Sequence, residues 1–406
     1  MPSSRNTRLG LMMFINYVAW GAWYVTLDTY LKNTLHFSGT QAGAVFGTTA
    51  LASMISPFFA GMIADRFFAT ERVLSALHFI GALLLIALTR VTSFPAVYSI
   101  MLAYCICYFP TIALTNSLAL KHIQDAGRQF PIIRLCGTIG WIVIGWTIGA
   151  LALEQSAGMF YLSAAGSLLM CAYSFTLPHT PPAGKGEPVS IRSVLGLDAL
   201  VMLKRPTYLT FIIVSILACI PVTFYFSFGN AYFNDVHVQN AAGKQTLGQA
   251  SEVIAMLLLP WFFKHFSVRG ILLLGMFSWT ARYALMAFGN ADAGMWMFYI
   301  AILLHGVCFD FLFVTGQLYA DQEAPANLRV TAQGFLTFVT YGVGMFLGSF
   351  LSGISLDYFT SNHVTDWKPF WLGTSGGSFL ILLLIAIFFR TGSRIESGAK
   401  KRSAEA

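Results

Sequence analysis

Charged side chains are scarce in this sequence. Asp, Glu, Lys and Arg make up only 10% of the 406 residues, whereas 56% of the residues are hydrophobic. A soluble domain needs more charged side chains than this to cover its surface. The composition therefore excludes a soluble globular protein and indicates a chain that is embedded in a membrane.

The sequence also lacks the motifs of several enzyme classes. It contains neither the H-E-x-x-H motif of zinc proteases nor the G-x-x-x-x-G-K-[ST] phosphate loop of ATP-driven pumps. The stretch GTSGG at 373–377 matches the G-x-S-x-G pattern of hydrolases, with Ser375 as the nucleophile. That motif requires a strand, a sharp turn and a helix, but here it falls in a predicted helix, where small residues permit close helix packing. We therefore expect a protein that is not an enzyme and has no cofactor and no metal.

Long apolar runs dominate what remains. Twelve runs reach the roughly 18 residues that a helix needs to cross about 30 Å of hydrocarbon. They cover residues 9–31, 41–64, 72–90, 96–120, 131–153, 158–177, 207–231, 246–263, 270–288, 295–319, 330–354 and 369–389. All six cysteines fall inside these runs, where they behave as small apolar residues, so we predict no redox chemistry.

The distribution of basic residues predicts the topology. The net charge of +7 comes from short loops rather than from one face or tail, which argues against nucleic acid as a partner. With the N-terminus inside, 19 of the 24 lysines and arginines fall in cytoplasmic segments and Arg282 falls within a helix. Four fall in outside loops, namely Lys32, Arg90, Lys244 and Lys368. This asymmetry predicts that both termini are cytoplasmic.

A proline-rich, basic segment, Pro178 to Pro206, divides the runs into two groups of six. The groups resemble each other: Arg134 opens the fifth run and Arg329 opens the eleventh, 195 residues later. Each arginine precedes small residues at i and i+4, which let helices approach closely; these are Gly145, Gly149, Gly344 and Gly348. Duplicated halves are typical of rocking transporters with a site at the interface between the halves.

We therefore predict an all-α membrane protein of twelve transmembrane helices in two pseudo-symmetric six-helix bundles. The predicted parts are an N-terminal bundle at 1–178, a cytoplasmic linker at 179–206, a C-terminal bundle at 207–390 and a basic cytoplasmic tail at 391–406.

One loop resembles the signature of a known superfamily. The stretch GMIADRFFATER, from Gly61 to Arg72, resembles the conformational loop of the major facilitator superfamily, in which a glycine precedes Asp65 and Arg66 and a further basic residue follows. Further stretches resemble the nucleoside:proton symporter family within it. They are WGAW at Trp20, YFPTIALTNS at Tyr108, FPIIRLCGTIGW at Phe130, LPHTPP at Leu177, GLDA at Gly196, SE at Ser251, HGVCFDF at His305 and AQG at Ala332.

Arg134, Thr138 and Trp141 are the first candidate substrate contacts. Their spacing of i, i+4 and i+7 places a cation, a hydroxyl and an aromatic ring on one helical face. A nucleoside suits this set, because its base stacks on a ring and its polar groups form hydrogen bonds. The resemblance implies substrate contacts at these positions. The alternative is that Arg134, near the cytoplasmic end, extends to lipid headgroups.

Two later helices supply further candidates for substrate and proton. Gln249 and Glu252 share one face of the eighth helix, where an amide reads a base edge and a carboxylate binds a hydroxyl or a proton. In the tenth helix His305 and Phe309 share one face and are candidate substrate contacts. Asp310 either carries the coupled proton or forms a buried ion pair, for which Arg282 is the candidate partner.

The seventh helix departs from the family pattern. Thr223 and Phe226 stand where the best-known nucleoside permeases have amides, and His305 stands where they have tyrosine. The hydrogen bonds to base or ribose must therefore differ, which leaves a modified nucleoside or a sugar-like ligand open. Asp28 in the first helix is a further candidate for proton coupling, with an ordinary residue at the membrane surface as the alternative.

The resemblance implies proton-coupled uptake of a nucleoside across the bacterial inner membrane by alternating access, by a monomer surrounded by lipid. A major facilitator carrier for a sugar or another small polar solute is the alternative. A sensor that binds its ligand without transporting it is disfavoured, because the 16-residue tail has no signalling domain.

Overall fold

The structure, a computed structural model, describes residues 4–59, 68–182, 197–325 and 328–395. Gly61, Asp65 and Arg66 of the predicted conformational loop lie outside these residues, as does half of the predicted linker, residues 183–196. Arg72 is described and lies exposed in the first turn of α3.

The described residues are almost entirely helical. The first half contains α1 (Ser4–Tyr24), α2 (Gly39–Phe59), α3 (Thr70–Leu88), α4 (Phe94–Lys121), α5 (Ala126–Ala150) and α6 (Gly158–Ser174). A short turn of α-helix, Leu27–Thr29, and a π-helical turn, Tyr30–Thr34, follow α1.

The second half begins with a 3-10 helix, Leu197–Lys204. It continues with α7 (Pro206–Asp235), α8 (Ala241–His265), α9 (Val268–Phe288), α10 in two pieces (Met295–Leu303 and His305–Glu323), α11 in three pieces (Arg329–Thr337, a π-helical Phe338–Gly344, and Met345–Tyr358) and α12 (Trp367–Phe388). Within the described ranges, nine helices are long and apolar enough to cross a membrane: α3, α4, α5 and α7 through α12.

Local chemistry explains several helix boundaries. The Asp125 side chain caps α5 by accepting from the Arg128 backbone N–H, and Ser267 caps α9 in the same way from Gly270. A two-stranded antiparallel hairpin, β1 (Thr360–Ser361) and β2 (Val364–Thr365), precedes α12. Asn362 and His363 connect its strands with positive φ angles, as a two-residue hairpin turn requires.

The chain divides into two compact units. The first unit comprises Met1–Val194, Tyr225–Thr246 and Ser349–Asp357. The second unit comprises Leu195–Phe224, Leu247–Gly348 and Tyr358–Ala406. A buried apolar core lies in the first unit among α1, α3, α4, α5 and α6 and includes Met12, Leu74 and Leu118.

Small residues bring helices into contact at the predicted glycines. A Cβ atom at Gly145 of α5 would lie 2.9 Å from Cγ2 of Thr246 in α8, and one at Gly348 of α11 would lie 2.6 Å from Oγ1 of Thr223 in α7. The prediction of close helix approach is therefore confirmed at both positions. In GTSGG of α12 it is wrong for the glycines, because a Cβ at Gly373, Gly376 or Gly377 would meet no atom within 4 Å. Ser375 of the same stretch does contact a neighbouring helix, since its hydroxyl donates to the carbonyl oxygen of Thr280 in α9 at 2.8 Å.

Candidate functional site

An aromatic cluster in the first unit surrounds the predicted site on α5. It consists of Tyr17, Trp20 and Tyr24 on α1, Trp141 on α5 and Phe226 on α7. The ring centroids of Trp20 and Trp141 lie 5.0 Å apart at 87°, and Tyr24 lies 5.8 Å from Trp141 and 5.9 Å from Phe226. These edge-to-face and tilted arrangements are those that aromatic rings prefer. The cluster therefore presents several apolar faces in one place.

Arg134 joins this cluster from one side. Its guanidinium carbon lies 4.4 Å from the centroid of the Tyr17 ring, a cation–π distance. The side chains of Arg134 and Thr138 are half-buried, as are the rings of Trp20 and Trp141. The predicted face of α5 thus contacts α1 within the protein, and the guanidinium lies over a tyrosine ring.

Sequence reasoning missed the contribution of α1. Tyr17, Trp20 and Tyr24 stand at i, i+3 and i+7, so they share one helical face just as Arg134, Thr138 and Trp141 do. The motif WGAW pointed to Trp20 only as part of a resemblance. The periodic aromatic spacing was the signal that would have found all three residues.

A histidine cluster in the second unit contains four of the predicted residues. It consists of Glu252 on α8, Arg282 on α9, and His305, Phe309 and Asp310 on α10. His305 is 2% exposed; its Nε2 lies 3.9 Å from Oε2 of Glu252, and its ring stacks on Phe309 at 5.7 Å. Close helix contact places these groups together, because a Cβ at Gly306 would lie 2.3 Å from the backbone oxygen of Ser251.

The contact of Arg282 determines which nitrogen of His305 carries the proton. Nη1 of Arg282 donates to Nδ1 of His305 at 2.7 Å. Because a guanidinium only donates, Nδ1 must be the acceptor, and the hydrogen of the neutral ring lies on Nε2. The ring therefore presents a donor toward Glu252. Arg282 is itself 0% exposed and its Cζ lies 5.3 Å from the Trp279 ring.

Asp310 does not form the ion pair with Arg282 that the sequence left open. Its side chain is 1% exposed, and both carboxylate oxygens lack a hydrogen-bond partner among the described residues. An ionised carboxylate in such a place is costly, and a protonated one is far less so. Asp310 therefore fits the proton-carrying alternative better than the structural one.

The remaining predicted contacts differ in their surroundings. Gln249 is half-buried on α8, one turn before Glu252. Thr223 is buried, and its hydroxyl donates to the carbonyl oxygen of Cys219 at 2.7 Å, so only its lone pairs remain for a ligand. Phe226 is half-buried and belongs to the aromatic cluster.

Asp28 lies in a buried polar network of the first unit. It is 0% exposed, its Oδ2 accepts from the backbone N–H of Ala231 at 2.8 Å, and its Oδ1 has no partner among the described residues. Nearby, Thr29 donates to Oδ1 of Asn230 at 2.6 Å, and Asn230 donates to Gln245 at 2.8 Å. Asp28 is therefore buried within the protein and is not exposed on its surface.

A second buried carboxylate belongs to the same network. Glu154 accepts from the Asn234 side chain at 2.5 Å and from the backbone N–H of Ala242 at 2.9 Å. Sequence reasoning gave no role to Glu154, which lies in a short loop after α5. Within the described residues, no group of three or more His, Cys, Asp or Glu side chains could hold a metal ion.

Comparisons with known proteins identify the family of this chain. A family model described as "Nucleoside H+ symporter" matches residues 4–394. A putative nucleoside transporter of Escherichia coli, YegT, is 38% identical over 94% of this chain and 93% of its own length. The xanthosine permease of the same organism is 34% identical over 94% of each chain. The crystal structure of the nucleoside transporter NupG superimposes with a TM-score of 0.90 at 28% identity, over 96% of this chain and all of that one.

Proposed function

Because the chain belongs to the nucleoside H+ symporter family, we propose that it takes up a nucleoside together with a proton and that the two clusters contain the residues responsible. The match of the family model to residues 4–394 carries the assignment of nucleoside and proton uptake, whereas the roles of the two clusters are argued from their contacts. The protein is accordingly a transporter of the major facilitator type and not an enzyme.

In the first unit, the aromatic cluster and Arg134 are the proposed contacts for the nucleoside base. A base is flat and apolar on its faces, so Trp141 and Phe226 stack against it, as aromatic pairs do. Arg134 and Thr138 then donate hydrogen bonds to the carbonyl oxygens at its edge. The cation–π contact with Tyr17 supports this role because it holds the guanidinium beside the rings.

In the second unit, His305, Phe309, Gln249 and Thr223 are the proposed contacts for the polar groups of the nucleoside. Nε2–H of His305 is a donor, Gln249 both donates and accepts, and Thr223 accepts. Phe309 stacks on the imidazole and so fixes the direction of that donor. These groups suit ribose hydroxyls or the ring nitrogens of a purine.

Proton coupling is proposed for Asp310, Glu252 and Asp28. Asp310 and Asp28 are buried carboxylates with at least one oxygen that has no hydrogen-bond partner in the described part of the chain, and Glu252 faces the Nε2–H of His305. A carboxylate that is protonated when the nucleoside is bound and ionised when it is not couples the binding of the nucleoside to the binding of the proton. The coupling arises because nucleoside and proton favour the same state of the carrier. Asp310 is the preferred carrier of the proton since both of its oxygens lack a partner among the described residues.

The architecture that goes with this function is also a proposal in its details. We propose twelve membrane-spanning helices in two six-helix bundles, at 1–178 and 207–390, joined by the 179–206 linker, with the 391–406 tail and the N-terminus in the cytoplasm. Gly61, Asp65, Arg66 and Arg72 form the proposed conformational loop. The protein is proposed to act as a monomer in the inner membrane.

Uptake by cells that express the protein tests the proposal. Labelled uridine, adenosine and xanthosine are each supplied with and without a protonophore, and Arg134→Ala is measured beside the unsubstituted protein. We expect accumulation of at least one nucleoside that both the protonophore and the substitution abolish. A labelled sugar serves as the competing substrate. Sugar uptake without any nucleoside uptake, with the protein present in the membrane, would refute the proposal.

A further inference from the structure

A groove between α1 and α5 in the first unit is not used by the proposed transport mechanism. It has a volume of about 700 Å³. Asn6, Thr7 and Gln129 line one end, and apolar side chains such as Leu11, Ile132 and Ile139 line the rest. The groove is open to the surroundings, since Ile132 is 68% exposed and Ile139 is 45% exposed. It therefore has one polar end and an apolar length.

The dimensions of the groove match one leaflet of a bilayer. From Gln129 to Ile139, α5 rises about 15 Å at about 1.5 Å per residue. This is about half of the roughly 30 Å of hydrocarbon in a bilayer. A single acyl chain of one leaflet covers the same depth, with its headgroup at the polar end of the groove.

Cations flank that polar end. Arg8 follows Thr7 on α1, and Arg128 precedes Gln129 on α5; both side chains are exposed. The Arg128 side chain is 90% exposed and forms a long, exposed ion pair, with 3.7 Å between its Nε and Oδ2 of Asp125. The region is thus basic where a headgroup would lie.

We propose that this groove binds an anionic phospholipid, with one acyl chain along Leu11, Ile132 and Ile139 and the phosphate beside Arg8 and Arg128. Basic pockets between membrane helices attract anionic headgroups in this way. The bound lipid contacts the same two helices whose other faces carry the aromatic cluster. It therefore stabilises the pairing of α1 and α5 that holds Arg134 over Tyr17.

Thermal unfolding of the purified protein in detergent tests the proposal without any transport assay. Phosphatidylglycerol, phosphatidylcholine and inorganic phosphate are titrated separately. We expect phosphatidylglycerol to raise the melting temperature at lower concentration than phosphatidylcholine, and inorganic phosphate to have no effect. In Arg8→Gln/Arg128→Gln the apparent affinity for phosphatidylglycerol should fall about 30-fold, or about fivefold for each arginine removed.

Two further variants keep the test specific. Arg90→Gln/Lys244→Gln removes two cations that lie away from the groove and should bind phosphatidylglycerol as the unsubstituted protein does. Ile132→Trp fills the apolar length at an exposed position and should weaken binding while both arginines remain. An equal response to the two lipids, unchanged affinity in the arginine variant, or the same shift with inorganic phosphate would each overturn the proposal.

Discussion

Arg134 illustrates what a cation requires inside an apolar helix. A charged side chain within the bilayer costs roughly 2.5–3.5 kcal/mol on insertion scales, so it needs a partner that offsets this cost. The Tyr17 ring, 4.4 Å from the guanidinium, is such a partner and lies on a helix that is distant in sequence. The sequence identified Arg134 as an unusual charge in an apolar run. It did not identify Tyr17 as the partner, because tyrosine is common in apolar runs and nothing in the sequence distinguishes this one.

Two substitutions at Tyr17 distinguish the contribution of the aromatic ring from that of its hydroxyl group. A cation–π contact contributes about 0.5–2 kcal/mol, which corresponds to a change of about 2-fold to 30-fold in affinity. We therefore expect Tyr17→Leu to raise the KM for nucleoside within that range, whereas Tyr17→Phe, which keeps the ring, stays near the unsubstituted value. Initial uptake rates over a range of nucleoside concentrations measure this. Equal KM values for the two variants would contradict the role of the ring.

Asp310 and Glu252 have different expected effects on proton coupling. Because a proton enters with the nucleoside, the initial rate of uptake should rise as the external pH falls. We expect Asp310→Asn to abolish accumulation driven by a pH gradient and to flatten this pH dependence, while exchange of labelled for unlabelled nucleoside continues. Proteoliposomes with an imposed gradient allow both measurements on one preparation.

Glu252→Gln is the matched variant for that experiment. Like Asp310→Asn, it replaces a carboxylate of the histidine cluster by an amide. The carboxylate of Glu252, however, faces Nε2 of His305. We expect a raised KM and a retained pH dependence. If accumulation persisted in both variants, proton coupling through this cluster would be wrong, and Asp28 would be the remaining candidate.

At the scale of helices, glycine determines how closely α1 and α5 approach. A Cβ at Gly140 would lie 2.5 Å from the backbone oxygen of Phe14, and backbone cannot move aside as a flexible side chain does. We expect Gly140→Ala to destabilise the protein by about 1–3 kcal/mol, as overpacking does. Gly376→Ala in α12 is the control, because its Cβ would meet nothing within 4 Å.

The melting temperatures of the two variants test whether Gly140 is required for the close approach of α1 and α5. Away from close contacts, alanine is favoured over glycine in a helix by about 0.5–1 kcal/mol, so Gly376→Ala should melt at or slightly above the unsubstituted protein. Gly140→Ala should melt below it. A Gly140→Ala protein as stable as the control would show that α1 and α5 separate at little cost.

Apolar runs predicted the helices well, because membrane helices satisfy their backbone hydrogen bonds internally and depend little on distant residues. The run at 207–231 is α7, Pro206–Asp235, and the run at 72–90 is α3, Thr70–Leu88. Hydropathy did not predict the break in α10 after Leu303 or the π-helical part of α11. These depend on backbone geometry within runs that are apolar throughout.

The sequence predicted which side chains belong to the candidate site, but not which residues those side chains contact. The sequence identified His305, Glu252 and Asp310, because ionisable groups in apolar helices are rare. It could not show that Arg282 contacts His305 rather than Asp310, since that choice depends on how α9 and α10 pack. It likewise could not show that Asp28 accepts from the N–H of Ala231, 203 residues away.

At the scale of the whole molecule, the proposed topology makes a prediction about which surfaces face the outside. Arg90 and Lys204 are both exposed basic residues, but the charge asymmetry assigns Arg90 to an outside loop and Lys204 to the cytoplasm. We expect Arg90→Cys to react with a membrane-impermeant maleimide in intact cells, and Lys204→Cys to react only after permeabilisation. The unsubstituted protein gives the background from its six cysteines, all of which lie in helices. If Lys204→Cys were labelled from outside, the proposed topology of the second half would be inverted. If neither variant were labelled in intact cells, both loops would lie in the cytoplasm, and the proposed number of membrane spans between Arg90 and Lys204 would be wrong.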